Sequence, residues 1–155
     1  MFVRYFVEIP LPPGRVEAAL LAEPDAWLPG IARWAEDRSR RLLAEVGFGR
    51  AFRIGKRVEV SLGEALRPNG KTLLPMTWRG TGAESLFPTL EADIEVAPLG
   101  PGRTQLAINA RYAPPLGRLG RAIDRALLHR VAEATIKDFL DRTADRLVTV
   151  AMDGS

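Results

Sequence analysis

The chain has no cysteine and one histidine, His129. The first absence excludes a disulfide framework, thiolate metal sites and thiol catalysis, and it accords with a reducing cytoplasm. The second leaves a lone imidazole. Without cysteine and without an adjacent carboxylate set it makes no ordinary metal site, and no Gly-x-Ser-x-Gly elbow accompanies it. Lysine is scarce: of the 22 basic residues only Lys56, Lys71 and Lys137 are not arginine. Acidic residues are interspersed with them, so no single-sign block exists and the formal net charge is +3. The densest basic cluster, RWAEDRSRR (33–41), contains Glu36 and Asp37 and reads as a solvated helix face, not a nucleic-acid patch. No apolar run approaches the roughly 20 residues of a membrane span. The opening MFVRYFVEIP carries Arg4 and Glu8 and no cleavage pattern. These features predict a soluble cytoplasmic protein without stable membrane insertion.

What is present is patterning. At 155 residues, 46% hydrophobic and 26% charged, the chain reads as one globular domain over 1–155, with a loose tail from about 149. FVRYFVEI (2–9) alternates as a strand with Val3, Tyr5, Val7 and Ile9 on one face and Arg4 and Glu8 on the other. Prolines stop it, and a short helix is expected at 14–21 with Val16, Ala19 and Leu20 on one side. Pro24, Pro29 and Gly30 then read as a turn before a second helix at 31–46, marked by Ile31, Trp34, Leu42 and Val46. GRAFRIG (49–55) offers a further short strand. KRVEVSL (56–62) and TLLPMTWRG (72–80) flank RPNGK, whose Asn-Gly is a hairpin signal because both residues tolerate positive φ. The second of these strands puts Leu74, Met76 and Trp78 on one face, and Pro75 predicts an edge or a bulge because it lacks a ladder donor. LEADIEVAPL (90–99) and RTQLAINARY (103–112) alternate almost perfectly around a Gly-Pro-Gly turn. One wet face and one covered face argue for an antiparallel sheet.

The cover is the long helix that follows Pro114 and Pro115. Its apolar stripe runs through Leu119, Ile123, Leu127, Leu128, Val131, Ala132, Ile136, Phe139, Leu140 and Leu147. At about 30 residues and 1.5 Å rise it is roughly 45 Å long, enough to cross a sheet. Gly117 and Gly120 weaken its first turn, and GRLG (117–120) reads as close packing, not a dinucleotide fingerprint. GTGAES (80–85) is likewise a loop, since no Lys-Ser/Thr follows it. No nucleotide, metal or other cofactor is expected.

The passages VEIPLPPGRVEAAL (7–20), LFPTLEADIEVAPLGPGRTQLAINARY (86–112) and YAPPLGRLGRAIDRALLHRVAEATIKDFLDRTADRL (112–147) resemble the START-like (SRPBCC) superfamily. That superfamily includes birch pollen allergens, polyketide cyclases and lipid-transfer START domains, and the chain is similar to a bacterial branch of it. The resemblance covers nearly the whole chain. It implies an α+β helix-grip fold, with a curved antiparallel sheet of about six or seven strands around the C-terminal helix and two short helices after strand 1. It also implies a cavity between sheet and helix for a lipid, polyketide or other apolar molecule. A bent sheet and a straight helix diverge along their length, and Gly80 and Gly82 are plausible bend or bulge points.

The strand phase and helix spacing nominate Met76, Trp78, Phe87, Ile108, Tyr112, Leu128, Ala132 and Ile136 as the lining. Trp78 and Tyr112 stand out because each joins a large apolar body to one polar atom; Tyr5 is a weaker candidate. His129 lies at the margin of the apolar stripe, with Glu133 one turn on as a partner. No catalytic set is assigned; His129 and Tyr112 are the candidates for proton transfer if the protein is a cyclase- or dehydratase-like enzyme. Three functions therefore stand: a binder of an apolar or aromatic small molecule, such an enzyme, or an interaction module with a filled core. Binding is the preferred one.

Overall fold

The computed structural model describes residues 2–22, 24, 26–28, 57–81, 89–113 and 125–154. The second helix expected at 31–46, the basic cluster at 33–41, the extra strand at 49–55, Gly82, Phe87 and the helix start at 116–120 lie outside them. Within them, period-two alternation has become five antiparallel strands. These are β1 (Phe2–Ile9), β2 (Arg57–Leu62), β3 (Thr72–Thr81), β4 (Thr89–Pro98) and β5 (Thr104–Ala113). They form one sheet in the order β1-β5-β4-β3-β2. Two helices flank it: α1 (Pro13–Ala22) and the long C-terminal α2 (Arg125–Asp153).

The ladder fixes which residues share a face. Trp78 stands opposite Leu90, which stands opposite Tyr112. One rung along come Met76, Ala92, Ala110 and Val3, and then Leu74, Ile94, Ile108 and Tyr5. This inner face is the core, and α2 closes it with Ala132, Ile136, Phe139, Leu140, Ala144 and Leu147. The helix packs on β1 and β5 and also against α1. From α1 it meets a face containing Val16, Ala19 and Leu20, the three residues that the 14–21 periodicity put on one side.

The Asn-Gly turn takes the predicted conformation, with φ of 51° at Asn69 and 76° at Gly70. Leu66 and Leu73 exchange backbone hydrogen bonds of 2.8 and 2.7 Å just behind it. The second turn uses left-handed Gly100 and Gly102 in the same way.

Four expectations need correction. β3 is neither an edge strand nor bulged at Pro75, because it pairs in continuous register with β2 on one side and β4 on the other. The missing donor is tolerated because Pro75 falls just past the last β2 rung, Leu62–Met76. There its carbonyl accepts from Gly63 N–H at 2.8 Å. An ideal Cβ on Gly63 would sit 3.1 Å from the Pro75 Cβ, so the small residue opposite the ring is part of the same arrangement. Gly80 is no bulge either; it pairs with Val58 in unbroken register. The loose tail expected from about 149 is instead the last turn of α2. That helix continues to Asp153, with Val150 and Ala151 against the core and the Arg15 side chain donating to the Ala151 carbonyl at 2.9 Å. Finally, the turn expected near Pro24 is helical at 24 and 26–28. It buries Trp27 completely, the indole Nε1–H donating to the Leu20 carbonyl at 3.3 Å.

Candidate functional site

Among the strand residues whose side chains are described, every charged one occupies an outward ladder position: Arg4 and Glu8, Glu91, Asp93 and Glu95, and Arg111. The inward positions carry no charge at all. Their hydroxyl groups are mostly spent on nearby partners. Thr104 Oγ1 donates to the Leu11 carbonyl at 2.7 Å, and Thr143 on α2 donates back to the Phe139 carbonyl at 2.8 Å. Tyr5 donates to Asp141 Oδ1 at 3.1 Å, and Lys137 holds the other oxygen of that carboxylate at 3.2 Å. This trio clamps β1 to α2. The outer face is wet except near Ala97, Ala107 and Glu95, where Glu95 is buried and paired with Lys71 at 3.3 Å.

Tyr112 is different. It is buried at the end of β5, and its hydroxyl meets the ionisable ring of His129 on α2, 3.4 Å from Nδ1. The two rings stack with centroids 6.4 Å apart and planes 21° from parallel. His129 Nε2 lies 2.9 Å from Glu133 Oε1, the i,i+4 pair expected from the helix spacing. In the neutral ring, a proton on Nε2 directed at the carboxylate leaves Nδ1 as the acceptor for the Tyr112 hydroxyl. The chain of contacts thus runs from a buried phenol to a carboxylate whose side chain is 54% exposed, through a histidine that is 37% exposed.

The predicted lining residues divide cleanly. Met76, Trp78, Ile108, Tyr112, Ala132 and Ile136 all join the one buried cluster. Phe87 and the Leu128 side chain lie outside the described residues. The structure adds neighbours that the sequence reading does not single out for the site: Leu90, Ala92, Ala110 and Phe139. Phe139 presents its ring to Trp78 edge-on at 5.5 Å. Ala92 and Ala110 stand side by side on β4 and β5 and project only a methyl group each toward α2. Small residues inside alternating strands are the available signal, since a core that needs only filling favours branched side chains there.

No protein-family model matches the chain, and no curated protein matches its sequence. Solved structures do. The protein TTHA0849 from Thermus thermophilus is 17% identical with a TM-score of 0.50, over 96% of this chain and 98% of that one. A conserved protein from Geobacillus kaustophilus is 14% identical with a TM-score of 0.53, over 96% of each. A START superfamily protein from Mycobacterium smegmatis aligns over 96% of this chain and 97% of its own, at 11% identity and a TM-score of 0.49. At such identities the likeness is one of fold, and chemistry has to be argued from the residues.

A concavity opens on the face of the sheet opposite α2. It is a groove of about 550 Å³ bordered by Ser61, Thr77, Glu91, Asp93, Asn109 and Arg111, with Phe2 at one end. Its charged, open walls suit a hydrated surface better than an apolar guest. Among the described residues no helix is long and apolar enough to cross a membrane, and no group of three or more metal-ligating side chains is assembled.

Burial pushes the Tyr112 phenol up to about 12, and the negative charge of Glu133 adds to the shift. Tyr5 is also raised, chiefly by burial and then by its hydrogen bond to Asp141. These are the only two tyrosines, so an alkaline spectrophotometric titration of phenolate is readable without ambiguity. Both should ionise above the ordinary tyrosine value of about 10, and Tyr112→Phe should remove the step nearest 12. The sign for stability follows from linkage. Tyr112 is protonated more tightly in the folded state, so its contribution is complete below about 10 and is lost as pH rises through about 12. A folded protein showing one of its two tyrosines at the ordinary value, unaffected by Tyr5→Phe, would show that Tyr112 is not buried against Glu133.

Proposed function

We propose that the protein binds an apolar or aromatic small molecule between the inner sheet face and α2. Met76, Trp78, Ile108, Tyr112, Ala132 and Ile136 form the walls. The observation that carries this reading is the Tyr112–His129–Glu133 chain at the end of an otherwise uncharged inner face. A core that only needs filling gains nothing from a phenol aimed at an ionisable ring, because each buried polar group must recover its lost hydration. A ligand site gains a fixed polar point within apolar walls, the usual composition of small-molecule pockets. The three small residues Ala92, Ala110 and Ala132 support the reading, since they hold back volume between sheet and helix. The sequence resemblance to START-like proteins points the same way.

The same geometry favours a second reading, an enzyme of the cyclase or dehydratase kind. There His129 would exchange a proton with a substrate that Tyr112 orients, and Glu133 would set the ring's tautomer. One experiment separates the two. An environment-sensitive neutral probe should bind near stoichiometrically and shift the emission of Trp78, with Trp34 replaced by Phe and Trp27 left as a constant buried background. Under the binding reading, His129→Ala changes affinity by about the 0.5–1.5 kcal/mol of one hydrogen bond, and no aromatic polyketide-like substrate turns over. Under the enzyme reading, wild-type turnover is measurable and falls about 100-fold or more in the variant. A protein that neither binds the probe nor turns over substrate is an interaction module with a filled core.

A further inference from the structure

β1 closes one end of the described sheet, with β5 as its one neighbour among the described strands. A sheet edge offers its backbone to any extended chain, and proteins ordinarily blunt it with charge or proline. β1 does something more selective. Its outward side carries Phe2, Arg4, Phe6 and Glu8 in succession, with Phe2 57% and Phe6 62% exposed. Arg4 and Glu8 are exposed too, have opposite charge, and stand symmetrically about Phe6. Glu8 meets Arg103 at 2.6 Å through one carboxylate oxygen, Oε1. On the inward side Val3 and Ile9 are buried, whereas Tyr5 and Val7 between them are half-buried. A strand whose charges mirror each other about an exposed aromatic ring is complementary to itself.

We infer that β1 is the docking edge for a second copy of this chain, which adds its own β1 antiparallel, with Phe6 facing Phe6 on a twofold axis and Arg4 of each copy facing Glu8 of the other. Two copies of one strand paired in this way keep their outward faces on the same side, so the two sheets become one. The outer row then holds an aromatic pair flanked by two opposite-charge pairs, the cross-strand combinations that stabilise a sheet. The inner row matches Tyr5 to Val7 and Val3 to Ile9, which brings together the side chains a single copy leaves half-buried. Phe2 comes opposite Pro10, whose missing N–H ends the ladder there. Glu8 keeps Arg103 on one oxygen and turns the other to the incoming guanidinium. Neighbouring registers are worse. Sliding one strand by two residues in either direction sets Phe6 opposite a charge, and sliding by four sets Arg4 against Arg4 or Glu8 against Glu8, where like charges repel. The charges that turn away a foreign strand thus admit this one. The inference does not depend on what the inner face binds.

Sedimentation equilibrium of the full chain, from low to high micromolar protein, tests this. Wild type should pass from monomer to dimer and stop there, because pairing uses up the edge it needs. Arg4→Glu alone, or Glu8→Lys alone, turns both opposite-charge pairs into like-charge pairs and should weaken dimerisation about tenfold or more. An equal mixture of the two variants should dimerise again, since one then offers two carboxylates where the other offers two cations. Both positions are exposed, so folding should survive, and a melting curve at dilute protein checks this. Hydrogen exchange gives a readout without substitution: the amides of residues 2–9 in wild type should gain protection as concentration rises. Association adds to apparent stability only where the dimer is populated, so stability comparisons at Phe6 belong at dilute protein. A wild type that stays monomeric, or whose β1 exchange ignores concentration, would overturn the inference. So would single variants that dimerise as tightly as wild type, a mixture that associates no better than its components, or assemblies that grow beyond two copies.

Discussion

A chain ending at Pro115 is expected to be unfolded or aggregated. Removing α2 uncovers Ile94, Leu106 and Ile108, which are completely buried in the intact protein, together with the next two rungs, those of Met76 and Trp78. Each large apolar side chain is worth roughly 1.5–3 kcal/mol when buried, against a total stability of about 5–15 kcal/mol for a domain. Three or four such losses exhaust it. The truncation also removes α1's neighbour and the Asp141 carboxylate that anchors Tyr5. Circular dichroism and a thermal scan of the shortened chain check this. A soluble product that melts cooperatively would mean that the sheet is covered by something other than α2.

Phe139→Ala should be the most damaging of the conservative truncations on the helix. The ring is buried, and it meets Trp78 edge-on at 5.5 Å, so the change leaves a cavity and removes an aromatic pair. Large-to-small substitutions of buried Phe cost about 3–5 kcal/mol, of which the aromatic pairing is about 0.5–1.5 kcal/mol. The same change at Phe6, an outward position of β1 that is 62% exposed, provides the control. There the loss should stay under about 1 kcal/mol, the range of strand preference alone. Denaturant midpoints of the two variants give the comparison directly. Equal losses at the two sites would contradict the placement of Phe139 in the core.

The faces of the strands are legible because a period of two carries them, and a wrong phase would put Glu91, Asp93 and Glu95 inside. Partners are not legible in the same way. Pro75 signals an edge because a missing donor is costly in a ladder, yet the cost vanishes when the neighbouring strand ends one residue earlier. Trp27 sits between prolines that suggest a turn, and only its packing beneath α1 gives it a place in the core. Thr143 and Ala144 fall outside the apolar stripe for being polar and small, but a threonine that returns its hydroxyl to the backbone is apolar outward. At the candidate site, Glu133 is readable from its spacing to His129. The meeting of His129 with Tyr112 spans 17 residues and the strand-to-helix connection, and depends on where α2 crosses the sheet.

The clamp between Tyr5, Asp141 and Lys137 also dictates when the molecule can be completed. β1 is made first among the described strands, yet its ladder partner is β5 and its anchoring carboxylate sits on α2. Tyr5 and Asp141 are 136 residues apart. At a synthesis rate of about 5–20 residues per second, the first strand waits roughly 7–27 seconds for its anchoring carboxylate, with Val3 and Ile9, buried in the finished fold, still uncovered. Such distant pairing slows folding, because the entropy of closing the loop is lost before any contact compensates it. The strand that finishes the sheet is therefore also the segment most exposed to mispairing during synthesis, and its charged Arg4 and Glu8 are the residues placed to discourage it.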